Sequence, residues 1–322
     1  MPEAIEDIKK VLQSLRDAGT YKHPPLLDGP MGPTVRLADG REVVNLCSNN
    51  YLGLANHPDV SNGAKDALDR YGFGTASVRF ICGSFTIHEQ IEAEIADFLE
   101  MEAATTYVSC WNANEALVPT FVGEGDAVIS DALNHSSIID ACRLCSKKSQ
   151  RLIYKHNDMK DLAARLEEAR ECRRILVMTD GVFSMEGDLA NLPEIVELAH
   201  RYGALVAVDD SHAHGVVGKT GRGTPEHFGV KVDIITGTLG KALGGAAGGF
   251  VAATKPIIEL LVQRSRPQLF SNALPAPVAG GAVASIQILK NQPQIVKKLH
   301  ENVAYLREGL QALGYDALAS AS

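Results

Sequence analysis

The sequence contains no long hydrophobic run, and this absence sets its first limits. No apolar stretch reaches the roughly 18 residues that a membrane-spanning helix needs, so no membrane span is expected. Residues 1–10 are acidic and lack the apolar segment of a secretory signal. These observations predict a cytoplasmic protein.

Cysteine is also scarce, with six among 322 residues. This density is far below that of a disulfide-stapled scaffold and is typical of reduced intracellular thiols. Cys142 and Cys145 form one CxxC pair, but no second pair and no histidine pair completes a zinc motif. Metal binding or redox chemistry at this pair is therefore the weaker interpretation.

Positive charge is in deficit, since the formal net charge is -8 at pH 7. Basic residues are dispersed among acidic ones, so the sequence indicates no general attraction to nucleic acid or to an anionic membrane. A polyanionic ligand would need a local basic pocket. The length and the 45% hydrophobic content suit one large α/β domain with smaller appendages.

The middle of the chain alternates short apolar runs with amphipathic stretches. Predicted strands cover residues 105–109, 127–130, 152–154, 175–179, 204–209, 233–237 and 249–253. Predicted helices between them cover residues 112–121, 136–145, 159–169 and 192–202. Continuously apolar strands that alternate with helices predict a mostly parallel, seven-stranded sheet with helices on both faces. Such a sheet places its active site at the carboxyl ends of the strands.

The two ends of the chain have a different pattern. Residues 5–18 predict an amphipathic helix, residues 34–47 a small antiparallel piece, and residues 84–100 another helix. Helices are also predicted at 278–289 and 294–313, and a further strand is expected to begin near residue 316. We expect three regions: an amino-terminal segment (1–50), a large domain (51–275) and an incomplete small carboxy-terminal domain (276–322).

Lys241 lies in a glycine-rich loop that follows a predicted strand. Glycine lets the backbone approach a ligand closely, so this lysine could contact a phosphate. A P-loop would require Ser or Thr after the lysine, and Ala242 stands there instead. Taken alone, a solvated lysine at a turn is the simplest interpretation.

The neighbouring apolar strand, however, ends in two carboxylates and an imidazole: Asp209, Asp210 and His212. Carboxylates at the end of a buried strand are costly unless something pairs with them. They could ligate a metal, hold the protonated nitrogen of a pyridine cofactor, or cap loop amides. The three hypotheses are equal for this segment alone, and Lys241 one strand later favours the cofactor.

Two further junctions fit a cofactor. His135 comes just before a predicted helix, where its ring could lie against a flat group, although an isolated loop histidine is more often structural. Ser109, Cys110 and Trp111 lie where a strand passes into a helix, and the free amides of a helix start favour a phosphate. Trp111, the sole tryptophan, would more often be a core residue.

Six segments together resemble the α-oxoamine synthases, which are fold-type-I pyridoxal-phosphate (PLP) enzymes. They are residues 49–54, 76–83, 131–135, 180–185, 208–212 and 237–241. Residues 77–83, 236–245, 264–267 and 270–272 resemble most the glycine C-acetyltransferase branch of that family. The resemblance implies a transferase that condenses glycine with acetyl-CoA to 2-amino-3-oxobutanoate, or cleaves that product in threonine catabolism. It leaves open a sibling that uses a longer acyl-CoA, such as an 8-amino-7-oxononanoate synthase, and a non-catalytic subunit.

The resemblance also implies roles for individual residues. Lys241 would carry the cofactor as a Schiff base, Asp209 would pair with the pyridine nitrogen, and His135 would stack on the ring. His212 and Ser184 would bind the phenolic oxygen. The Cys110 and Trp111 amides, next to Ser109, would hold the phosphate together with Thr238. Ser271 and Asn272 would reach the partner subunit's phosphate, and Asn49 would contact the substrate carboxylate. Arg79 could contact the acyl-CoA, although a structural ion pair is at least as good an interpretation of this arginine.

Two features depart from the family pattern. Trp111, Asn112 and Glu115 replace parts of the Phe-Asp-Ala-Asn-Gly pattern that usually follows the cysteine. Family members also continue for several dozen residues and there supply an arginine for the substrate carboxylate, which has no counterpart in this sequence.

The resemblance implies a homodimer with its active site at the subunit interface.

Overall fold

The computed structural model describes residues 2–316, and it divides the chain into two compact units, one ending at Cys47 and the other beginning at Ser48. The first unit contains helix α1 (Glu3–Asp17) and the strands β1 (Thr34–Arg36) and β2 (Glu42–Val44). The two strands pair antiparallel, and Gly40 in the turn between them has a φ of 89°. Helix and hairpin lie where the sequence predicted them.

The second unit is an α/β fold. Its strands are β3 (Ala103–Tyr107), β4 (Ala127–Asp131), β5 (Gln150–Tyr154), β6 (Ile175–Asp180), β7 (Leu205–Asp209), β8 (Ile234–Thr238) and β9 (Gly249–Ala253). Its helices are α2 (Pro58–Tyr71), α3 (Arg79–Cys82), α4 (Thr86–Phe98), α5 (Cys110–Phe121), α6 (Ser136–Arg143), α7 (Met159–Glu168), α8 (Leu192–Arg201), α9 (Thr224–Phe228), α10 (Lys255–Arg264), α11 (Arg266–Phe270), α12 (Ala276–Asn291) and α13 (Gln294–Ala312). A short 3-10 helix covers Leu54–Asn56.

The seven strands form one sheet in the order β3-β9-β8-β7-β6-β4-β5. β9 is antiparallel to both of its neighbours, and the other pairs are parallel. Alternate strand residues face opposite sides, and both sides are buried: Val177 packs in one core cluster, and its neighbour Leu176 packs in another. The predicted seven-stranded, mostly parallel sheet with helices on both faces is confirmed.

Helix α2 was not predicted. Its sequence is polar and contains Gly63, so the local pattern does not indicate a helix, although the segment forms one that packs tightly against α12. A Cβ at Gly63 would lie 2.8 Å from the carbonyl oxygen of Gly280, and a Cβ at Gly280 would lie 2.4 Å from that of Gly63. The glycine therefore serves backbone-to-backbone packing, although in sequence it suggests a helix breaker.

Several predicted boundaries were wrong. The first strand of the large sheet ends at Tyr107, because Ser109 already caps α5, and that helix begins at Cys110, two residues earlier than predicted. Helices α3, α9, α10 and α11 are short or proline-initiated and were missed. The strand expected near residue 316 lies largely outside the described residues. Within the described part of the chain, no helix combines the length and the apolar character that crossing a bilayer requires.

Candidate active site

Three segments meet at the carboxyl edge of the sheet. Asp209 is the last residue of β7, and it lies in register with Thr236 of β8 on one side and with Asp180 of β6 on the other. Lys241 follows the end of β8 by three residues. The parallel topology therefore brings the lysine loop and the acidic strand end to the same edge.

The Lys241 amine belongs to a chain of polar contacts. Its Nζ lies 2.6 Å from Nε2 of His212, and Nδ1 of His212 lies 3.0 Å from the Tyr51 hydroxyl. Tyr51 donates its own proton to Oδ1 of Asn49 at 3.0 Å, so Nδ1 of His212 donates to the tyrosine oxygen. Nε2 is then left as the acceptor for the lysine.

Burial determines the charge states of this pair. It lowers the pKa of His212 to about 4, and the nearby Lys241 charge contributes to that shift. Burial also lowers the pKa of Lys241, while the nearby Asp209 carboxylate acts in the opposite direction. His212 is therefore neutral near pH 7, and the lysine is a stronger proton donor than a solvated one.

Asp209 is buried, with only 5% of its surface exposed. Its carboxylate accepts hydrogen bonds from Nδ2 of Asn114 at 2.7 Å and from the backbone N–H of Ser211 at 3.0 Å. The Cys110 thiol lies 3.6 Å from the same carboxylate, and burial raises the pKa of that thiol well above its usual range. A buried carboxylate with these donors suits a cationic partner.

Asp210 does not join Asp209 and His212 around a common point. It accepts from the backbone N–H of Thr224 at 2.8 Å and from its hydroxyl at 2.7 Å. Burial raises the pKa of Asp210 to about 7, although these hydrogen bonds oppose the shift. This carboxyl caps α9, as the capping hypothesis expected, and the structure gives the three side chains separate partners.

The start of α5 forms a cradle beside Asp209. Ser109 caps the helix by accepting from the N–H of Asn112 at 3.2 Å, and the first helical amides, those of Cys110 and Trp111, lack an intrahelical acceptor by geometry. Gly249 of β9 approaches so closely that a Cβ there would lie 2.3 Å from the Cys110 nitrogen. The hydroxyl of Thr238 already has a hydrogen-bond partner, because it donates to the carbonyl oxygen of Gly248 at 3.2 Å.

His135 lies at the other side of the cradle as the cap of α6. Its backbone N–H donates to Asp180 at 2.8 Å, and its Nδ1 accepts from the backbone N–H of Ser137 at 3.2 Å. His135 is exposed, and the Trp111 ring meets its imidazole edge-on at 6.0 Å between centroids. An accessible flat ring beside the helix start could cover a bound aromatic group.

Other predicted site residues have different surroundings. The two terminal nitrogens of the Arg79 guanidinium each donate to one carboxylate oxygen of Glu92. Its Nε donates to the Ser84 hydroxyl at 2.7 Å. Its side chain is 15% exposed, so the structure places it in a partly buried ion pair. Ser184 is exposed in the turn after β6. Ser271 and Asn272 follow α11, where Ser271 is half-buried and Asn272 is exposed.

Several residues that the structure places in the site were not among the site residues predicted from the sequence. Asn114 and Ser211 bind Asp209, and Tyr51 binds His212. Asp180 binds the backbone of His135, and burial raises the pKa of its carboxyl well above the usual range. Tyr51 and Asp180 stand inside segments that carried the family resemblance, which was the available signal.

This set of donors and acceptors fits a flat pyridine ring that bears an aldehyde and a phosphate. Lys241 offers a partly buried amine, Asp209 a buried carboxylate, and the start of α5 two free amides. Gly249 has no Cβ to cover the Cys110 amide, where a side chain would lie 2.3 Å from the nitrogen. The residues present therefore fit PLP.

Comparison with known proteins supports the same family. The profile of the class I and II aminotransferases matches residues 41–322. A 2-amino-3-ketobutyrate coenzyme A ligase from Escherichia coli K12 is 48% identical over 317 residues, which cover 97% of this chain and 79% of the relative. An 8-amino-7-oxononanoate synthase from Thermoanaerobacter pseudethanolicus is 46% identical, with the same two coverages.

A solved structure gives the same result for the fold. A serine palmitoyltransferase from S. paucimobilis, solved with bound PLP and myriocin, superposes with a TM-score of 0.89 at 32% identity. The match covers 97% of this chain and 79% of that one. The profile, the identities and the shared motifs agree: the chain belongs to the class I and II aminotransferase family and, within it, to the α-oxoamine synthases.

Proposed function

We propose that this protein is a PLP-dependent acyltransferase that condenses glycine with acetyl-CoA to 2-amino-3-oxobutanoate and CoA, or catalyses the reverse cleavage. The observation that carries the proposal is the Lys241 amine, held 2.6 Å from a neutral His212 at the sheet edge where Asp209 is buried. The 48% identity to a 2-amino-3-ketobutyrate coenzyme A ligase supports the choice of substrates.

When bound, PLP supplies an electron sink for the pair of electrons left when glycine loses a Cα proton. Asp209 provides the negative charge that keeps the ring nitrogen protonated, and its burial strengthens that interaction. Lys241 moves the proton, because burial lowers its pKa and raises the share of neutral amine near pH 7. His212 accepts a hydrogen bond from the lysine and thereby holds its nitrogen in place.

The other predicted residues bind and orient. We propose that the Cys110 and Trp111 amides, beside Ser109, hold the phosphate, with the Thr238 hydroxyl turning from Gly248 to join them. His135 covers the ring. Three of the remaining roles are proposed from the family resemblance alone: Ser184 at the phenolic oxygen, Asn49 at the substrate carboxylate and Arg79 near the acyl-CoA.

The proposal includes a homodimer with the site at the subunit interface, where Ser271 and Asn272 would reach the partner subunit's phosphate. Their accessible position after α11 supports this role. It also includes a cytoplasmic location and the three regions 1–50, 51–275 and 276–322. Light scattering of the purified protein tests the dimer, since a monomer that binds PLP fully would contradict it.

An acyl-CoA screen tests the proposed reaction. The purified protein is incubated with PLP, glycine and acetyl-, succinyl-, pimeloyl- or palmitoyl-CoA, and the free thiol of CoA is measured. We expect release with acetyl-CoA to exceed release with the longer chains at least tenfold. Release that depends on acyl-CoA but not on glycine would contradict the proposal.

A sibling synthase is the second candidate, because the 46% identity to an 8-amino-7-oxononanoate synthase is close to the 48% to the ligase. The same acyl-CoA screen separates the two candidates. Preference for pimeloyl-CoA would favour the second candidate. A chain that binds no PLP and releases no CoA with any acyl donor would instead match the non-catalytic subunit.

A further inference from the structure

Asn114 occupies the centre of a hydrogen-bond network beneath the proposed cofactor site. Its side chain is 0% exposed in the first turns of α5. Nδ2 donates to Asp209 Oδ2 at 2.7 Å and to Ser137 Oγ at 2.9 Å, while Oδ1 accepts from the Thr236 hydroxyl at 2.9 Å. Both amide hydrogens and the amide oxygen are therefore used, on three different elements of the fold.

The orientation of this amide is fixed by Asp209. If the amide were reversed, its oxygen would lie about as far from the carboxylate as Nδ2 does now, with no proton between the two oxygens. An ionised carboxylate can only accept, so it selects the orientation that presents N–H. The amide N–H in turn holds Oδ2 of Asp209, while the N–H of Ser211 holds Oδ1 at 3.0 Å, so both carboxylate oxygens are fixed in place.

The same amide continues to His135. Ser137 accepts from Asn114, and the Ser137 hydroxyl lies 2.8 Å from Nδ1 of His135. Nδ1 already accepts from the backbone N–H of Ser137, a group that can only donate, so Nδ1 is an acceptor and the Ser137 hydroxyl donates to it. The neutral imidazole then carries its proton on Nε2. Asn114 thus connects Asp209, which is proposed to pair with the ring nitrogen, with His135, which is proposed to cover the ring.

We infer that Asn114 is a positioning residue that fixes the Asp209 carboxylate and, through Ser137, the His135 imidazole. This inference rests on the proposed function, since it assigns Asn114 to the PLP site. Asp209 also interacts electrostatically with other nearby titratable groups: Lys241, Asp180, Asp210, Cys110, His212 and His214. Asn114 differs from them because it binds Asp209 and Ser137 with one rigid amide.

Asn114→Asp and Thr236→Val test the inference as a matched pair. The first keeps the shape of residue 114 but replaces the donor to Asp209 by a carboxylate. The second keeps both donors and removes only the hydroxyl that binds Oδ1. For each apoprotein, the dissociation constant for added PLP is measured, and the absorption of bound PLP is then titrated with pH.

For Asn114→Asp we expect PLP binding weakened at least tenfold, and the pH midpoint of the bound-cofactor absorption moved upward by about one unit, because negative charge is added beside a cationic ring. For Thr236→Val we expect an unchanged midpoint and binding within threefold. A residue that only packs would change the thermal midpoint of the apoprotein and leave the titration unmoved. That pattern would overturn the inference.

If Asn114→Asp fails to fold, Ser137→Ala provides the second test. It leaves the bond between Asn114 and Asp209 in place and removes the link to His135, so we expect weaker PLP binding with an unchanged pH midpoint. Native-like binding by Ser137→Ala would overturn the proposed link to His135. If the unsubstituted chain fails to bind PLP, the proposed function and this inference are both overturned. If that chain binds PLP and Asn114→Asp has the same affinity and the same pH midpoint, the inference alone is overturned.

Discussion

The Nζ atom of Lys241 lies 2.6 Å from Nε2 of His212, and burial lowers the pKa of both groups. Two solvated cations at this distance would repel each other. Here the histidine is neutral, because its pKa is about 4, and it accepts a hydrogen bond from the lysine. The fold thereby holds one amine in a fixed direction while making it easier to deprotonate.

Replacing the lysine should remove the cofactor's covalent anchor. We expect Lys241→Ala to lose the visible-edge absorption of bound PLP and nearly all acyl transfer. Lys147→Ala changes an exposed lysine on the same chain and should leave both unchanged. A native absorption spectrum in Lys241→Ala would contradict the assignment of the anchor.

The two adjacent aspartates should behave differently. Asp209→Asn removes the buried charge proposed for the ring nitrogen, so we expect PLP binding or acyl transfer to fall by roughly a hundredfold or more, as for a truncated buried charge pair. Asp210→Asn changes a residue that binds Thr224 instead. This variant should lower the thermal midpoint and keep PLP binding within a few-fold. Equal losses of binding in both variants would contradict the assignment to Asp209.

His156 bridges two carboxylates, with Nδ1 3.0 Å from Asp131 and Nε2 2.9 Å from Asp188. Burial acts to lower the pKa of His156, but the hydrogen bonds to both carboxylates outweigh it, and the net shift is upward. A raised folded-state pKa stabilises the fold fully below the unfolded pKa of about 6.5, and the stabilisation is lost as pH rises through the folded pKa.

We therefore expect His156→Gln to lower the thermal midpoint most near pH 6 and least near pH 9. His227→Gln, at an exposed histidine, provides the control and should show no such trend. Thermal unfolding of the three proteins across this range measures the difference. A His156→Gln effect that is constant with pH would show that the charge of the histidine does not stabilise the fold.

Two helical glycines should respond to alanine with opposite signs. A Cβ at Gly280 would lie 2.4 Å from the Gly63 carbonyl oxygen and 2.6 Å from Cβ of Ala67, so Gly280→Ala should destabilise by about 1–3 kcal/mol through overpacking. At Gly309 a Cβ would have no neighbour within 4 Å among the described residues. Gly309→Ala should stabilise α13 by about 1 kcal/mol.

Thermal or urea unfolding of both glycine variants measures these changes. An increase in stability for Gly280→Ala would contradict the close packing of α2 against α12.

Sequence reasoning predicted the sheet because its central strands are continuously apolar and most of them alternate with helices. It also predicted that Lys241 and Asp209 meet, because consecutive parallel strands deliver their following loops to one edge. The order of the strands gives this proximity without any side-chain geometry. Helix α2 was not predicted in this way, because Gly63 allows close packing against α12, and no local sequence pattern shows such a contact.

The supporting residues of the site could not be predicted in the same way. Asn114 stands inside an apolar helix, where a buried asparagine has no meaning until its partners on β7, β8 and α6 are known. Tyr51 lies far from His212 in sequence, and only the fold brings its hydroxyl to 3.0 Å from that ring. Such contacts depend on distances between elements, which periodicity does not contain.

The covalent state of Lys241 is the most direct test of this account. The protein is loaded with PLP, reduced with sodium borohydride so that any bond to the amine becomes irreversible, and digested for peptide mass spectrometry. We predict that the phosphopyridoxyl mass is found on the peptide containing Lys241 and on no other lysine peptide. An unmodified Lys241 peptide from protein that retains bound PLP would contradict the central claim.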